Sequence, residues 1–218
     1  MGAPMKVAVC ISSGGMVHAS FSVCLAVLVA NTAGAGVPIT IVDAESSLNM
    51  VNREYAVRQA RKQGCASAFF VDSDMVFPSD ALLRLLERDK EIVGALYARR
   101  VHPYATLGRL ADPEATGVAE AVEIGLGCIL IRLTAFDALR PPYFRCPPVE
   151  SLDAPEFTGM DMTGIEAPDT IDDSIWFSKV MRRAGKTLWA DMDLTMEVGH
   201  TGQTTHYIPR KAVPNGSQ

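Results

Sequence analysis

Over its first hundred residues the chain repeats one unit: a short run rich in β-branched residues, a turn of Gly or Ser, then a helix-length stretch. Lys6–Ile11 reads as a buried strand and is broken by Ser12-Ser13-Gly14-Gly15. Val17–Asn31 reads as a buried helix closed by Gly34 and Gly36. Pro38–Val42 is a second strand, and Leu48–Lys62 an amphipathic helix carrying Arg53, Arg58, Arg61 and Lys62 and stopped at Gly64. Ala68–Val71 is a third strand ending on Asp72. Ser79 is the expected N-cap of a helix over Asp80–Arg88, and Ile92–Tyr97 is a fourth strand. Strands joined by helices over short links must lie mainly parallel, because the crossover helices cover both faces of the sheet.

After residue 100 the order changes. Ala105–Leu110, Val118–Ile124 and Cys128–Leu133 read as strands without long helices between them. Thr134–Leu139 is a short helix, Ile171–Ala184 a longer one, Thr187–Ala190 a strand and Thr195–His200 an extended segment. Arg145–Asp169 holds Pro147, Pro148, Pro155 and Pro168 without a sustained period, which predicts a long loop. The expected architecture is α/β: one Rossmann-like domain over residues 1–205 with a mixed, mostly parallel central sheet, and a flexible tail over 206–218. With 218 residues, 48% hydrophobic and 21% charged, one such core needs neither disulfides nor a structural metal.

Charge narrows the partners. The net charge of −5 argues against a broad basic face for duplex nucleic acid. The distribution is uneven, with +3 over residues 53–109 and −7 over 148–200. The five cysteines form no CxxC pair, which suggests buried thiols in a reducing compartment. The apolar stretch Phe21–Ala30 is too short to span a bilayer, so a soluble cytoplasmic protein, bacterial or phage-encoded, is expected.

Chemistry concentrates in four places. Phe69-Phe70-Val71-Asp72-Ser73-Asp74 delivers two carboxylates from an apolar strand to the sheet edge where ligands of open α/β sheets bind. Two acids so close repel unless a cation lies between them, and Mg²⁺ or Mn²⁺ would meet that need while leaving positions for phosphate oxygens. The bland reading is a solvated turn. His200, framed by Gly199 and Gly202, is either a third ligand, which would favour Mn²⁺, or an ordinary satisfied histidine. Asp172-Asp173 opens a helix, where carboxylates cap; either could also serve as a general base. Gly125-Leu126-Gly127 is a tight turn or a place where a substrate comes close to backbone.

In order, Asp-x-Asp, Gly-x-Gly, paired acids and histidine resemble the GT-A glycosyltransferase superfamily over about residues 5–202. The run from Val71 to Pro78, a helix, and then Ile92-Val93-Gly94 is similar to compact family-2-like members of bacteria and their phages. The resemblance implies a nucleotide-diphosphate sugar as donor, a UDP-sugar first among them, and hexosyl or pentosyl transfer. It implies a metal held by Asp72, Asp74 and His200, and donor contacts at Asp72, Ser73, Gly125 and Gly127. Ser12, Ser13 and Gly14 would meet the base or ribose, as would Asp43. Arg53 and Arg99 would reach the diphosphate. Counting back from Gly185 by the family's spacing lands on Ser174, so Asp173 is taken as the base and Asp172 as the second choice. The acceptor is left open: a hydroxymethylated base of phage DNA, a glycan or a small molecule. Oligomeric state is unspecified.

Two alternatives stay open. Asp72-Ser73-Asp74-Met75-Val76 also fits the opening of a haloacid-dehalogenase-like phosphatase, although two strand–helix units precede it here. A non-catalytic nucleotide-sugar-binding module would keep the fold without turnover. Within Arg145–Asp169, Phe157, Met160 and Met162 are expected to form the apolar wall of an acceptor lid.

Overall fold

A computed structural model of the chain describes residues 5–99, 106–148, 172–202 and 205–206. Residues 149–169 of the expected lid therefore lie outside the described residues. Of the expected tail, so do all but His206.

The repeating unit of the first half forms as the sequence predicts, with shifted ends. The elements are β1 (Val7–Ser13), α1 (Ala19–Gly34), β2 (Ile39–Glu45), α2 (Asn49–Lys62) and β3 (Ser67–Asp72). A two-residue strand β4 (Met75–Val76) follows the acidic turn and leads to α3 (Ala81–Glu87). Asp80, not Ser79, is the N-cap of α3, and its side chain makes no capping hydrogen bond. The single strand expected over Ile92–Tyr97 is split into β5 (Ile92–Gly94) and β6 (Tyr97–Ala98). The two halves join different neighbours: β5 pairs with β9 (Cys128–Arg132), and β6 pairs with β7 (Thr106–Leu110). After β7 come β8 (Val118–Ile124), β9 and a 3-10 turn over Leu133–Ala138. The chain then gives α4 (Asp173–Arg183), β10 (Leu188–Asp191), α5 (Met192–Thr195), β11 (Gly199–Thr201) and β12 (Thr205–His206). The extended run expected from Thr195 is a helical turn first and a strand only from Gly199. Asp191 drives that difference: its side chain accepts from the Leu194 amide at 2.9 Å and caps the turn.

The nine-stranded sheet has the order β2-β1-β3-β9-β5-β10-β8-β7-β6. β1 is parallel to β2 and β3, and β10 is parallel to β5. β9 runs against both β3 and β5, so the parallel set β2, β1, β3, β5 and β10 is interrupted by one reversed strand. β8, β7 and β6 extend it by antiparallel steps. A second sheet, β12-β11-β4, sits on the acidic turn. The mixed sheet and single α/β architecture agree with the sequence-based expectation.

Two apolar layers flank the large sheet. One packs Ala56, Val57 and Ala60 of α2 with Phe70, Phe136, Phe144 and Phe177. The other packs Phe21 and Leu28 of α1 with Phe69, Phe77, Leu82 and Leu85. Phe69 and Phe70 are adjacent on β3 and point to opposite layers, as strand alternation demands. The uncharged α1 is less buried than its composition predicts: Val23 is 65% and Val27 49% exposed. Apolar composition alone does not reveal which face of a helix meets the core. The five cysteines are free. Among the described residues no helix is long and apolar enough to cross a membrane.

The β5–β9 contact is tight. A Cβ at Gly94 would lie 2.6 Å from the Cys128 carbonyl oxygen and 2.9 Å from the Ile129 Cβ. Backbone cannot yield as a side-chain tip can, so Gly94→Ala should cost about 1–3 kcal/mol of stability, the usual range for overpacking. Urea unfolding monitored by circular dichroism measures it, and an unchanged midpoint would contradict the packing described.

Candidate functional site

Three backbone links bring the expected residues to one edge of the sheet. β1 and β3 are in parallel register, so Ser12 lies beside Asp72. The Ser73 amide donates to the Ser12 carbonyl at 3.1 Å, and the His18 amide donates to the Ser73 carbonyl at 3.1 Å. The acidic turn is thereby locked onto the end of β1. The Asp72 amide donates to the Gly127 carbonyl at 3.2 Å, placing the glycine turn on its other side. Finally β11 pairs with β4 so that His200 faces Met75, and the Thr201 amide donates to the Asp74 carbonyl at 2.7 Å.

Arg53 occupies the centre. It projects from α2 and is only 3% exposed. Its Nη2 donates to both Asp72 carboxylate oxygens, at 2.8 and 3.0 Å, and its Nη1 donates to Asp173 Oδ2. One guanidinium thus ties the end of β3 to the first turn of α4. Burial works against this charge, but Asp72 and Asp173 outweigh it and hold the guanidinium above its already high ordinary pKa. Its Nε is buried without a hydrogen-bond partner among the described residues.

The two acids of α4 divide the roles that the sequence leaves open between them. Asp172 is the N-cap: its Oδ1 accepts from the Ser174 amide at 2.8 Å and also from the Ser174 hydroxyl. Asp173 turns inward to Arg53 and is 5% exposed. Burial pushes the Asp173 carboxyl above the usual carboxylate range; Arg53 pulls it down, while Asp172 and Asp72 push it up further. A carboxylate with raised proton affinity is better matched to accepting a proton near neutral pH than an ordinary one.

Asp74 and His200 form a second pair, with Nε2 and Oδ2 3.4 Å apart. His200 Nδ1 lies 3.0 Å from the Ala98 carbonyl, an acceptor, so Nδ1 carries the proton. His200 Nε2 is then the ring nitrogen that faces the Asp74 carboxylate. The spacing suits two neighbouring ligands of one divalent ion. Both oxygens of Asp72, the third expected ligand, accept from Arg53. Among the described residues no group of three or more His, Cys, Asp or Glu is arranged to hold an ion. What the described residues offer is a pair of neighbouring ligands, Asp74 and His200.

The remaining expected residues scatter around this centre. Ser12 and Ser13 are buried at the end of β1, and Gly14 is exposed just beyond them. Asp43 is exposed on β2, beside Ile11 in register and inside the strand instead of at its end. Arg99 stands apart, on the wall of a cavity beside β7, β8 and α4. Gly125 and Gly127 are approached closely, and what approaches is Tyr97: a Cβ on either would lie 2.6 or 2.8 Å from its hydroxyl oxygen. That hydroxyl accepts from the Gly127 amide at 2.9 Å. Burial, with Asp72 nearby, keeps the phenol well above its ordinary pKa.

Tyr97 and Asn52 are missed by sequence reasoning. Tyr97 stacks edge-on against His200 at 5.3 Å and sits under the glycine turn. Asn52 is buried on α2 and donates to the Ser13 and Ser46 carbonyls, at 3.1 and 3.0 Å. Both lie within otherwise ordinary helix or strand patterns; a polar residue one turn from a strand end is the only signal the sequence offers.

No protein-family model and no curated protein sequence matches the chain. Among solved structures, the crystal structure of A197 from STIV is similar over 98% of each chain, with a TM-score of 0.57 at 14% identity. A glycosyltransferase involved in the glycosylation of the major capsid of PBCV-1 is similar over 87% of this chain and 94% of that one, with a TM-score of 0.39 at 10% identity. The first likeness shows a shared fold. The second is too low to carry an argument.

The buried clamp makes a direct prediction. Arg53→Met leaves two carboxylates facing each other without their cation, and should cost about 3–5 kcal/mol, the usual cost of removing one partner of a buried pair. Arg53→Lys keeps the charge but not the fork, and should cost less. Chemical unfolding of both variants checks this; equal midpoints for Arg53→Met and the parent would contradict it.

Proposed function

We propose that the chain is a glycosyltransferase that moves a sugar from a nucleotide-diphosphate sugar, a UDP-sugar in the first instance, to an acceptor hydroxyl. The observation that supports this reading best is the meeting of three chemistries at one sheet edge: the Asp74–His200 pair, the Arg53–Asp72 pair, and an inward-facing carboxylate at Asp173. The reading takes its family from the order of motifs along the chain.

In this reading Ser12, Ser13 and Gly14 offer hydroxyls and amides to the ribose and base, with Asp43 at the outer rim. Asp72 and Ser73 orient the donor from the end of β3. Gly125 and Gly127, braced by Tyr97, bring backbone against the transferred sugar. Asp74 Oδ2 and His200 Nε2 would hold Mn²⁺ or Mg²⁺, with the nitrogen ligand favouring Mn²⁺. When bound, such a cation neutralises charge growing on the departing diphosphate. Arg53 fixes Asp173 through Oδ2 and leaves Oδ1 to take the acceptor proton. Asp172 keeps the helix start rigid so that Asp173 does not swing away.

Release of nucleoside diphosphate from a panel of nucleotide sugars, assayed with Mn²⁺, tests the reading. Asp74→Ala should abolish release while the circular dichroism spectrum stays unchanged, and full activity in excess chelator would contradict the metal assignment. Asp173→Asn should leave donor binding nearly unchanged and lower transfer about 10²–10⁴-fold, the usual contribution of a positioned base. Normal transfer by that variant would move the role to Asp172 or remove it.

A further inference from the structure

Beside the proposed donor site lies a second concavity, a cavity of about 350 Å³. Its walls include Arg99, Gly108, Arg109, Glu123, Ser174 and Ile175. The size falls at the small end of ligand pockets. The floor is β7 and β8, and one side is the first turn of α4. Ser174 lines the cavity, and the residue before it is Asp173. The first turn of α4, which carries Asp173, thus also forms part of this wall.

The cavity is cationic in an acidic protein. Glu123 is shared between Arg109, at 3.8 Å, and Lys179, at 3.9 Å. Arg99 has no ion-pair partner among the described residues and is exposed on the cavity wall. Two cations thus share one carboxylate, and a third, Arg99, stands on the same cavity wall. In the sheet, β8 is separated from β1 by β3, β9, β5 and β10, so this cavity is remote from the serines assigned to the nucleotide. Arg99, unpaired among the described residues, therefore stands away from the end of β1.

We propose that this cavity holds the acceptor, and that the acceptor is a small hydroxyl compound bearing a phosphate or carboxylate group. The inference rests on reading the neighbouring site as a sugar transferase. Arg99 and Arg109 grip the anion, since guanidinium forks match phosphate and carboxylate oxygens. The hydroxyl lies toward Asp173. The limited volume favours a sugar-phosphate-sized molecule over a polymer.

Calorimetric titration of inorganic phosphate, glucose 6-phosphate and glucose into the full chain tests this, with and without saturating UDP and Mn²⁺. The expected result is that phosphate and glucose 6-phosphate bind under both conditions and glucose does not. Arg99→Ala should weaken phosphate binding at least tenfold, and Arg99→Lys should restore most of it. Phosphate binding that UDP abolishes would place the anion in the donor site and overturn the proposal. So would equal binding of glucose and glucose 6-phosphate, or an Arg99→Ala variant that binds phosphate as the parent does. Failure of UDP itself to bind, with the Arg99-dependent phosphate site intact, would instead overturn the transferase reading and leave the anion site standing.

Discussion

A single buried guanidinium holds the site together. β3 and α4 are far apart in the sequence, and among the described residues only Arg53 joins their carboxylates. Without Arg53, Asp173 would be a buried acid with Asp72 and Asp172 as like-charged neighbours. Shared between them, Arg53 turns mutual repulsion into a fixed geometry. The arrangement is costly to desolvate, and an apolar replacement of all three could be as stable. Its presence is therefore better explained by positioning than by stability.

The second half of the site is built by backbone. The small sheet β12-β11-β4 sets His200 against Asp74, and the Ala98 carbonyl fixes which ring nitrogen is left to face the carboxylate. Tyr97 joins the two halves: it packs against His200, accepts from Gly127 and fills the space that the two glycines leave. The glycines are thus required by a neighbouring side chain, whatever a substrate also requires of them.

Much of this was legible in the sequence. Alternating strands and helices define the α/β sheet, and Phe69-Phe70-Val71-Asp72 announces both a buried strand and the sheet edge where it ends. The pair Asp172-Asp173 is visible, but its division into cap and inward-facing acid depends on helical phase at the first turn. Arg53 looks like Arg58, Arg61 and Lys62, its neighbours on an amphipathic helix; only tertiary packing singles it out for burial. Arg99 shows the converse. The family resemblance assigns it to the diphosphate; the structure places it on the wall of the cavity beside β7, β8 and α4. The exposed valines of α1 show that an uncharged helix need not be a buried one.

A double-mutant cycle on stability measures how strongly Arg53 couples Asp72 to Asp173. Asp72→Asn and Asp173→Asn each leave Arg53 with one carboxylate, whereas the double variant leaves it buried without either. The double variant should therefore lose more stability than the two single losses together, by about 0.5–3 kcal/mol, the range for residues sharing one network. Losses that add to within about 0.3–0.5 kcal/mol would mean that the two acids act independently and that Arg53 does not couple them.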